Sequence, residues 1–442
     1  MKYNVRILNV HYKKAEEAML EIHIQNVGKI KDASIELAGV TVVAGLNGTG
    51  KSTIAKSVFA AVNARKDMFA KIWADKRVDI EDEVLQWIEQ NNDIDNSPFY
   101  DAHEEIAAYI LAIYEREKWD KEDISENVKK IIEKYCSDNN LLDDGIEEPV
   151  ENIVKILKRS MEEYVNFFVE QYYQRVFKNQ INSIGTSVSA FVSYRKIEDE
   201  KNIESAVSIE NNKLSIIGKP LILQQENAIY IETHSVLDFC EEMSRRARRI
   251  NLASRVTLST KELLDSLTEE KELTFIQQRQ VEENDKIVKD IVSQVTHGHL
   301  IKNQNGNMEF LDQDVNEKIE FSNMSAGLKI FTVLQQLIEN YSLKKGDVLI
   351  VDEPEVNLHP NWQIVLAEIL VRVYKELGIY ILVNSHSPYF IRAIEVKTAE
   401  YDCALHGRYY YMEPVGKAYV SKDVSDNTNI IYDALYQPLT LL

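Results

Sequence analysis

The feature that most constrains this chain is the segment GLNGTGKST at positions 45–53, which follows the apolar run VTVVA. It has the full G-x-x-x-x-G-K-[ST] spacing and stands between a strand-like run and a helix-like stretch. Glycines at these positions let successive backbone N–H groups turn toward phosphate oxygens, and the following helix presents its positive N-terminal end. We therefore expect a phosphate-binding loop in which Lys51 reaches the β- and γ-phosphates, Ser52 ligates Mg²⁺ and Thr53 contacts the α-phosphate. The predicted nucleotide-binding residues of this loop are Gly45, Asn47, Gly48, Gly50, Lys51, Ser52 and Thr53.

A second apolar run, VLIV at 348–351, ends on the two acids Asp352 and Glu353. A carboxylate at the carboxyl end of a buried strand faces the ligand crevice of an α/β sheet. We expect Asp352 to hold Mg²⁺, directly or through water, and Glu353 to orient and polarise the attacking water. Glu355 is a competitor for that second role, although an acid in the first turn of a helix is the simpler interpretation. The loop and the acid pair together imply ATP and Mg²⁺ as cofactors and favour hydrolysis over binding alone.

Strand-like and helix-like segments alternate at both ends of the chain. Apolar and polar residues alternate over 19–39, and a short apolar run follows at 40–44. Buried strands return between amphipathic helices after about 325, whereas helical spacing dominates from about 52 to 178. A small strand pair is expected over 301–321. The pattern predicts an α/β fold with a mostly parallel sheet, an N-terminal antiparallel β portion and large helical insertions. The expected segments are the N-terminal part of the α/β head (1–60), a helical insertion (61–185), a mixed strand and helical lobe (186–322) and the C-terminal part of the head (323–442).

Net charge and cysteine usage limit the partners and the compartment. A formal net charge of −20 argues against attraction of nucleic acid to the whole surface. Five arginines between positions 245 and 255 leave a local basic face open, although a solvated helix face paired with nearby acids is the simpler interpretation. Three widely spaced cysteines and the lack of an apolar run of about 18 residues predict a reduced, cytoplasmic protein with no membrane segment.

The segment NMSAGLK at 323–329 places Ser325 and Gly327 just before a helix-like stretch and shortly ahead of Asp352. A Ser-Ala-Gly turn at a helix N-terminus is an anion site, although the same residues also serve as an ordinary helix cap. In this order with the other motifs, the segment resembles the signature motif of ABC-type ATPases. The resemblance implies that Ser325 and Gly327 contact the γ-phosphate bound by a second copy of the chain. Leu328 and Lys329 replace the glycine and glutamine that usually follow.

The residues after the acid pair extend this resemblance. DEPE, followed by LHP and later by SHSP, is similar to the ATPase heads of the SMC, RecF and OLD group. The resemblance implies that His386 is the switch histidine that contacts the γ-phosphate, and that 357–359 is the loop crossing between two heads, with a structural role open for His359. The glutamine that usually joins sheet and lobe is not evident near 228–235, with Gln224 and Gln225 lying upstream. Tyr12 is one candidate for an adenine platform.

The rest of the chain narrows the choice among the ATPases of this group. No sustained heptads indicate the coiled coil of a chromosome-organising ATPase, and only scattered acids such as Asp423 and Asp426 follow His386, so no nuclease domain is expected. What remains resembles standalone ATPases of bacterial anti-phage modules, of the Septu, retron-associated or PARIS type. That resemblance implies a head-to-tail homodimer or higher oligomer and a separately encoded effector, such as a nuclease. A DNA-binding repair ATPase similar to RecF and a slow ATP-binding scaffold are the alternatives.

Overall fold

The computed structural model describes residues 19–437 apart from short gaps. Among these residues, no helix combines the length and apolar character that crossing a membrane requires. The chain forms two compact units: the larger from the described parts of 1–64, 170–219 and 226–442, the smaller from those of 65–169. The four-segment division expected from the sequence stays a prediction. The gaps are 92–101, 118–122, 140–144, 184–187, 199–200, 219–225, 233–256, 269–272, 293–294, 296 and 303–307.

A single large sheet organises the larger unit, and the described residues contribute eleven strands to it, in the order β6-β5-β4-β1-β2-β14-β13-β3-β12-β11-β7. A second, smaller sheet has the order β10-β9-β8. The strand bounds are β1 Met19–Val27, β2 Ile30–Leu37, β3 Val40–Ala44, β4 Ala190–Glu198, β5 Lys201–Glu210, β6 Lys213–Ile217, β7 Ala228–Ile231, β8 Gly298–Lys302, β9 Met308–Asp312, β10 Glu317–Glu320, β11 Val348–Asp352, β12 Tyr380–Ser385, β13 Gly407–Val415 and β14 Ala418–Asp423.

The large sheet changes from antiparallel to parallel along its width. Strands β6, β5, β4, β1 and β2 pair in antiparallel fashion, whereas β13, β3, β12, β11 and β7 run parallel to one another. The parallel strands β3, β11 and β12 are buried at every position, as expected for strands covered on both faces. The expected α/β fold, with a parallel portion and an N-terminal antiparallel portion, is therefore confirmed.

Helices cover the parallel portion and form the main hydrophobic core with it. The helix residues Phe331, Leu334, Leu366 and Leu370 belong to the same buried cluster as Val351 of β11. The helix bounds are α1 Lys51–Asn63, α2 Met68–Asn91, α3 Ala102–Glu117, α4 Ile124–Asn139, α5 Glu147–Lys158, α6 Met161–Phe177, α7 Leu258–Thr268, α8 Phe275–Val292, α9 Ala326–Glu339, α10 Pro360–Leu377, α11 Pro388–Glu400 and α12 Asn429–Tyr436.

The small sheet corrects one expectation. The sequence suggests a strand pair over 301–321, but the structure has three antiparallel strands, β8, β9 and β10. The first strand begins earlier, at Gly298, where a Cβ would lie 2.3 Å from the Phe310 ring. Only glycine leaves room there for the phenyl ring, and a glycine read from the sequence alone indicates a turn rather than a strand.

The smaller unit is helical, with α2 to α5 packed around their own core. Ile80 and Val84 of α2, Ile106 and Ile110 of α3 and Val128 of α4 are fully buried in it. Their spacing of three or four residues places them on one face of each helix. This agrees with the helical character expected for the stretch after the phosphate loop.

Candidate active site

The motifs found in the sequence converge at the carboxyl ends of three neighbouring parallel strands. In the register of the sheet, Ala44 of β3 pairs with Ser385 of β12, and Asp352 of β11 pairs with Asn384 of β12. The phosphate loop, the acid pair and the turn that carries His386 therefore leave the sheet at the same edge. This edge is where parallel α/β sheets bind ligands.

The phosphate loop is shaped by glycines that no other residue replaces without strain. Gly50 caps α1 with φ 98°, and a Cβ there would lie 2.5 Å from Ile30 Cδ1. Gly48 has φ 76°, and its carbonyl accepts a hydrogen bond from Lys29 Nζ at 3.0 Å. The tip of the loop is thus tied to the turn between β1 and β2, and the N-terminus of α1 opens toward the cleft.

Lys51 lies at the base of this loop and is almost fully buried. Its Nζ donates to the carbonyl oxygens of Gly45 at 2.9 Å and Leu46 at 3.1 Å. The same Nζ lies 3.4 Å from Oε1 of Glu353. The ammonium is therefore held in the loop by backbone oxygens while it faces the acid expected to activate water.

Two side chains hold the carboxylate of Asp352. The Tyr230 hydroxyl donates to Oδ2 at 2.8 Å, and Asn384 Nδ2 donates to Oδ1 at 3.0 Å. Burial, and then the nearby Asp352 carboxylate, raise the pKa of Tyr230 well above its usual value, so it stays a donor. The sequence reading missed both residues. The signal that identifies them is strand placement, since both stand on strands that pair directly with β11.

Glu353 adopts a left-handed backbone conformation with φ 47°, and its N–H donates to the Asn384 carbonyl at 2.9 Å. This conformation is uncommon outside glycine and asparagine and turns the chain sharply after the strand. The side chain is a quarter exposed, and its Oε1 lies 3.3 Å from His386 Nδ1 as well as near Lys51. One carboxylate oxygen therefore stands between the two groups expected to contact the γ-phosphate.

Glu355 does not occupy the position that the sequence suggested. The expected first-turn helix acid is wrong, because α10 begins only at Pro360 and Glu355 lies in the preceding turn. Its side chain is buried, and Oε1 accepts hydrogen bonds from Ser385 Oγ and from the backbone N–H groups of the next two residues. Glu355 thus ties the chain after β11 to the chain after β12.

The segment expected as a signature motif begins a helix, as predicted. Ser325 is the exposed N-cap of α9, and its Oγ accepts from Leu328 N at 3.4 Å. Gly327 is closely covered, since a Cβ there would lie 2.8 Å from the Trp362 ring and 3.1 Å from Leu358 Cδ2. Neither Ser325 nor Gly327 is among the described residues that line the cleft of Lys51 and Glu353.

The loop at 357–359 packs against this helix start. Asn357 is exposed with φ 65°, whereas Leu358 is buried beside Gly327. His359 caps α10, with Nδ1 accepting from Asn361 N at 3.3 Å. The structural role left open for His359 is therefore present, and the loop links the signature segment to the acid pair.

A cleft of about 950 Å³ surrounds the phosphate loop. It contains Asn47, Ser52 and Thr53 of the loop together with Glu353, and it continues toward Gln180. The sequence reading missed its lysine rim, because these residues come from two hairpins far apart in the sequence. The rim residues are Lys29, Lys31 and Lys417.

Several other residues that the sequence singled out lie outside the described part of the chain or away from this cleft. The arginines of 245–255 and the residues Tyr12, Gln224 and Gln225 lie outside the described part of the chain. Asp423 accepts from Ser425 in a local turn. In the described residues, no group of three or more His, Cys, Asp or Glu side chains is placed to hold a metal by itself.

The described side chains suit a nucleotide and a magnesium ion. Ser52 is exposed in the cleft, and Asp352 lies directly before Glu353 at its base. A serine hydroxyl and a carboxylate oxygen are hard oxygen donors of the kind that Mg²⁺ prefers, with phosphate oxygens and water completing its shell. The glycine turns and the start of α1 supply backbone N–H groups for phosphates.

The chain was compared with curated proteins, with solved structures and with family models. No curated protein matches the sequence significantly. Solved structures with a similar outline include an SMC head bound to the C-winged helix domain of ScpA, with 11% identity and a TM-score of 0.45 over 93% of this chain and 98% of that one. The SMC head domain from Thermotoga maritima has 10% identity and a TM-score of 0.40, over 92% and 98% of the chains. An Smc head with an extended coiled coil, bound to the C-terminal domain of ScpA from Pyrococcus furiosus, has 12% identity and a TM-score of 0.44. The match covers 94% of this chain and 99% of that one.

The family match rests on the sequence itself. The sequence matches the family of the AAA ATPase domain over residues 19–391, from the first strand to the helix after His386. The ATPase class expected from the motifs is therefore confirmed. Since the match spans most of the chain, the protein belongs to the AAA ATPase domain family.

Proposed function

We propose that this protein is an ABC-type ATPase in which two copies close over ATP and hydrolyse it. The observation that carries the proposal is the position of Glu353, whose Oε1 lies 3.4 Å from Lys51 Nζ and 3.3 Å from His386 Nδ1. A carboxylate between a phosphate-loop lysine and a strand-end histidine is placed to orient water beside a bound γ-phosphate. Glu353 thus activates the water, and His386 donates to the phosphate.

Shared use of the nucleotide is supported by where the signature segment lies. Ser325 is exposed at the N-terminus of α9, and the cleft residues of the same chain do not include it. A helix N-terminus with an exposed serine offers N–H and hydroxyl donors to an anion. We infer that it serves the γ-phosphate held by the phosphate loop of the other copy, in a head-to-tail homodimer.

Mg²⁺, when bound, neutralises charge on the phosphates and polarises them for attack. In this chain, Ser52 and Asp352 are the residues that would hold it. Tyr230 and Asn384 keep the Asp352 carboxylate in one orientation through their two hydrogen bonds. Lys51 binds phosphate oxygens as a point charge, and loop glycines such as Gly48 let the backbone approach them.

We further propose that the ATP cycle regulates or scaffolds a separately encoded effector, such as a nuclease, in a bacterial anti-phage complex. The DEPE, LHP and SHSP segments resemble the wider SMC, RecF and OLD group. This step is supported by elimination within that group, since the sequence indicates neither sustained heptads nor a nuclease domain and what remains resembles standalone ATPases of such modules. In this account, closure of two heads over ATP changes the surface that the effector binds. The chain itself supplies the ATPase and not the nuclease.

The experiment is a pull-down of Glu353→Gln protein, expressed from its native gene neighbourhood with ATP present, followed by mass spectrometry. The matched control is Lys51→Ala, which removes the phosphate-binding cation. Recovery of a stoichiometric nuclease or other toxic effector with Glu353→Gln supports the regulatory role, and its dependence on Lys51 ties it to ATP. Recovery of the protein alone, or with DNA, contradicts that role and favours a scaffold or a repair-type ATPase.

A further inference from the structure

The buried carboxylate of Glu355 needs an explanation that water activation does not provide. Its side chain is only 4% exposed, and burial raises the pKa of the carboxyl above its usual value. Its Oε2 is buried and has no hydrogen-bond partner among the described residues. Burying a carboxyl group costs free energy unless the group is hydrogen-bonded or paired, so the contacts of the other oxygen, Oε1, are decisive.

The contacts of Oε1 all go to the turn that carries the histidine. Ser385 Oγ donates at 2.5 Å, and the backbone N–H groups of His386 and Ser387 donate at 3.2 Å each. Ser385 Oγ also accepts from Ser387 N at 3.0 Å. One carboxylate oxygen therefore fixes the path of three consecutive residues between β12 and α11.

The imidazole of His386 lies against the same carboxylate. Its Nδ1 is 3.7 Å from Glu355 Oε1 and 3.3 Å from Glu353 Oε1, and it makes no hydrogen bond among the described residues. Two carboxylates, one in the cleft and one in the interior, therefore lie beside Nδ1. Since Nδ1 faces these carboxylates, Nε2 is the ring nitrogen left for the nucleotide.

We propose that Glu355 is the positioning residue of His386: it fixes the 385–387 turn and lies beside Nδ1, so that Nε2 is presented to the γ-phosphate. The inference rests on the proposed function, in which His386 contacts that phosphate. It assigns the two glutamates after β11 to different tasks. Glu353 acts on water in the open cleft, and Glu355 acts from the interior through the histidine.

The first test compares Glu355→Gln with His386→Ala and with the double variant. Glutamine keeps the size of the side chain and one oxygen acceptor for the turn, so the fold and the affinity for a non-hydrolysable ATP analogue should stay within about twofold. The kcat should fall about tenfold or more, and the double variant should be no slower than His386→Ala alone. Glu368→Gln is the matched control, since Glu368 contacts Tyr401 Oη at 2.7 Å and Lys397 Nζ at 2.8 Å instead of the 385–387 turn. This variant should leave kcat unchanged.

A second readout does not depend on hydrolysis. Long-range ¹H–¹⁵N correlation spectra of ¹⁵N-histidine-labelled protein report the state of each imidazole, and the His386→Ala spectrum assigns the signal. Glu355→Gln should shift the His386 ring signals, whereas Glu368→Gln should not. Unchanged ring signals, an unchanged kcat, or losses that multiply in the double variant would overturn the proposal. If the wild-type protein does not hydrolyse ATP, the proposed function fails and the spectra alone decide where Glu355 acts.

Discussion

Lys51 and Glu353 form an ion pair at the base of the nucleotide cleft, with 3.4 Å between Nζ and Oε1. In the proposed mechanism, the phosphate that binds Lys51 competes with the Glu353 carboxylate for the same ammonium group. Nucleotide binding has to replace this contact. The pair is partly screened because Glu353 is a quarter exposed, so its effect on affinity is modest.

Replacing Glu353 by glutamine should therefore have two separable effects. Hydrolysis should fall by about 100-fold or more, because an amide does not accept the proton of the attacking water. Affinity for a non-hydrolysable ATP analogue should rise by about two- to tenfold, because Lys51 loses its internal partner. Isothermal titration calorimetry measures the affinity. The control is Glu36→Gln, which removes the partner of Arg408 at 2.8 Å and should leave the affinity unchanged.

Tyr230 should tune the response to magnesium. Tyr230→Phe removes one of the two donors that orient the Asp352 carboxylate, so the Mg²⁺ concentration needed for half-maximal nucleotide binding should rise several-fold. Unfolding free energy should fall by about 1 kcal/mol, measured by urea denaturation. Tyr172→Phe removes a similar hydroxyl–carboxylate contact, at 2.9 Å from Glu262, and should lower stability without changing the Mg²⁺ dependence. An equal Mg²⁺ shift in both variants contradicts the assignment of Asp352.

Tyr409 should make the fold sensitive to alkali. Burial raises the pKa of its hydroxyl from 10.0 to about 12, so the folded state keeps the proton that the unfolded state loses. The resulting stability, about 2–3 kcal/mol, is fully present below pH 10 and is lost as the pH rises toward 12. Urea denaturation of wild type and Tyr409→Phe between pH 8 and 12 checks this. The wild type should lose more stability than the variant over this interval, and parallel curves would contradict the shift.

The sequence predicts those parts of the site that depend on short, fixed spacings between residues. The turn of a phosphate loop depends on glycines such as Gly50 within a few residues of Lys51, and a helix cap such as Ser325 depends on the next three residues. Apolar runs likewise identify buried strands such as VLIV. These local requirements leave a readable pattern because all the interacting groups lie within one turn of chain.

The rest of the site depends on which strands pair in the sheet, and no local sequence pattern predicts that pairing. Tyr230 reaches Asp352 across 122 residues, because β7 joins the sheet beside β11. Glu355 was interpreted as a helix acid because DEPE precedes a helix, and its actual partner, Ser385, lies 30 residues further on the neighbouring strand. The first strand of the small sheet, β8, likewise contains Gly298, which packs closely against the Phe310 ring of the paired strand β9. Such contacts follow from the fold and not from spacing.

The central claim, that each ATP is shared by two copies of the chain, is tested most directly by mixing two inactive variants. Lys51→Ala lacks the phosphate-binding cation, and Ser325→Arg blocks the exposed cap of α9 while sparing the cleft of its own chain. Each variant alone should be inactive. A heterodimer contains one site with an intact loop and an intact signature, so an equimolar mixture should recover about a quarter of the wild-type ATPase rate per chain. No recovery in heterodimers verified by mass spectrometry, or full activity of Ser325→Arg alone, would contradict a shared site.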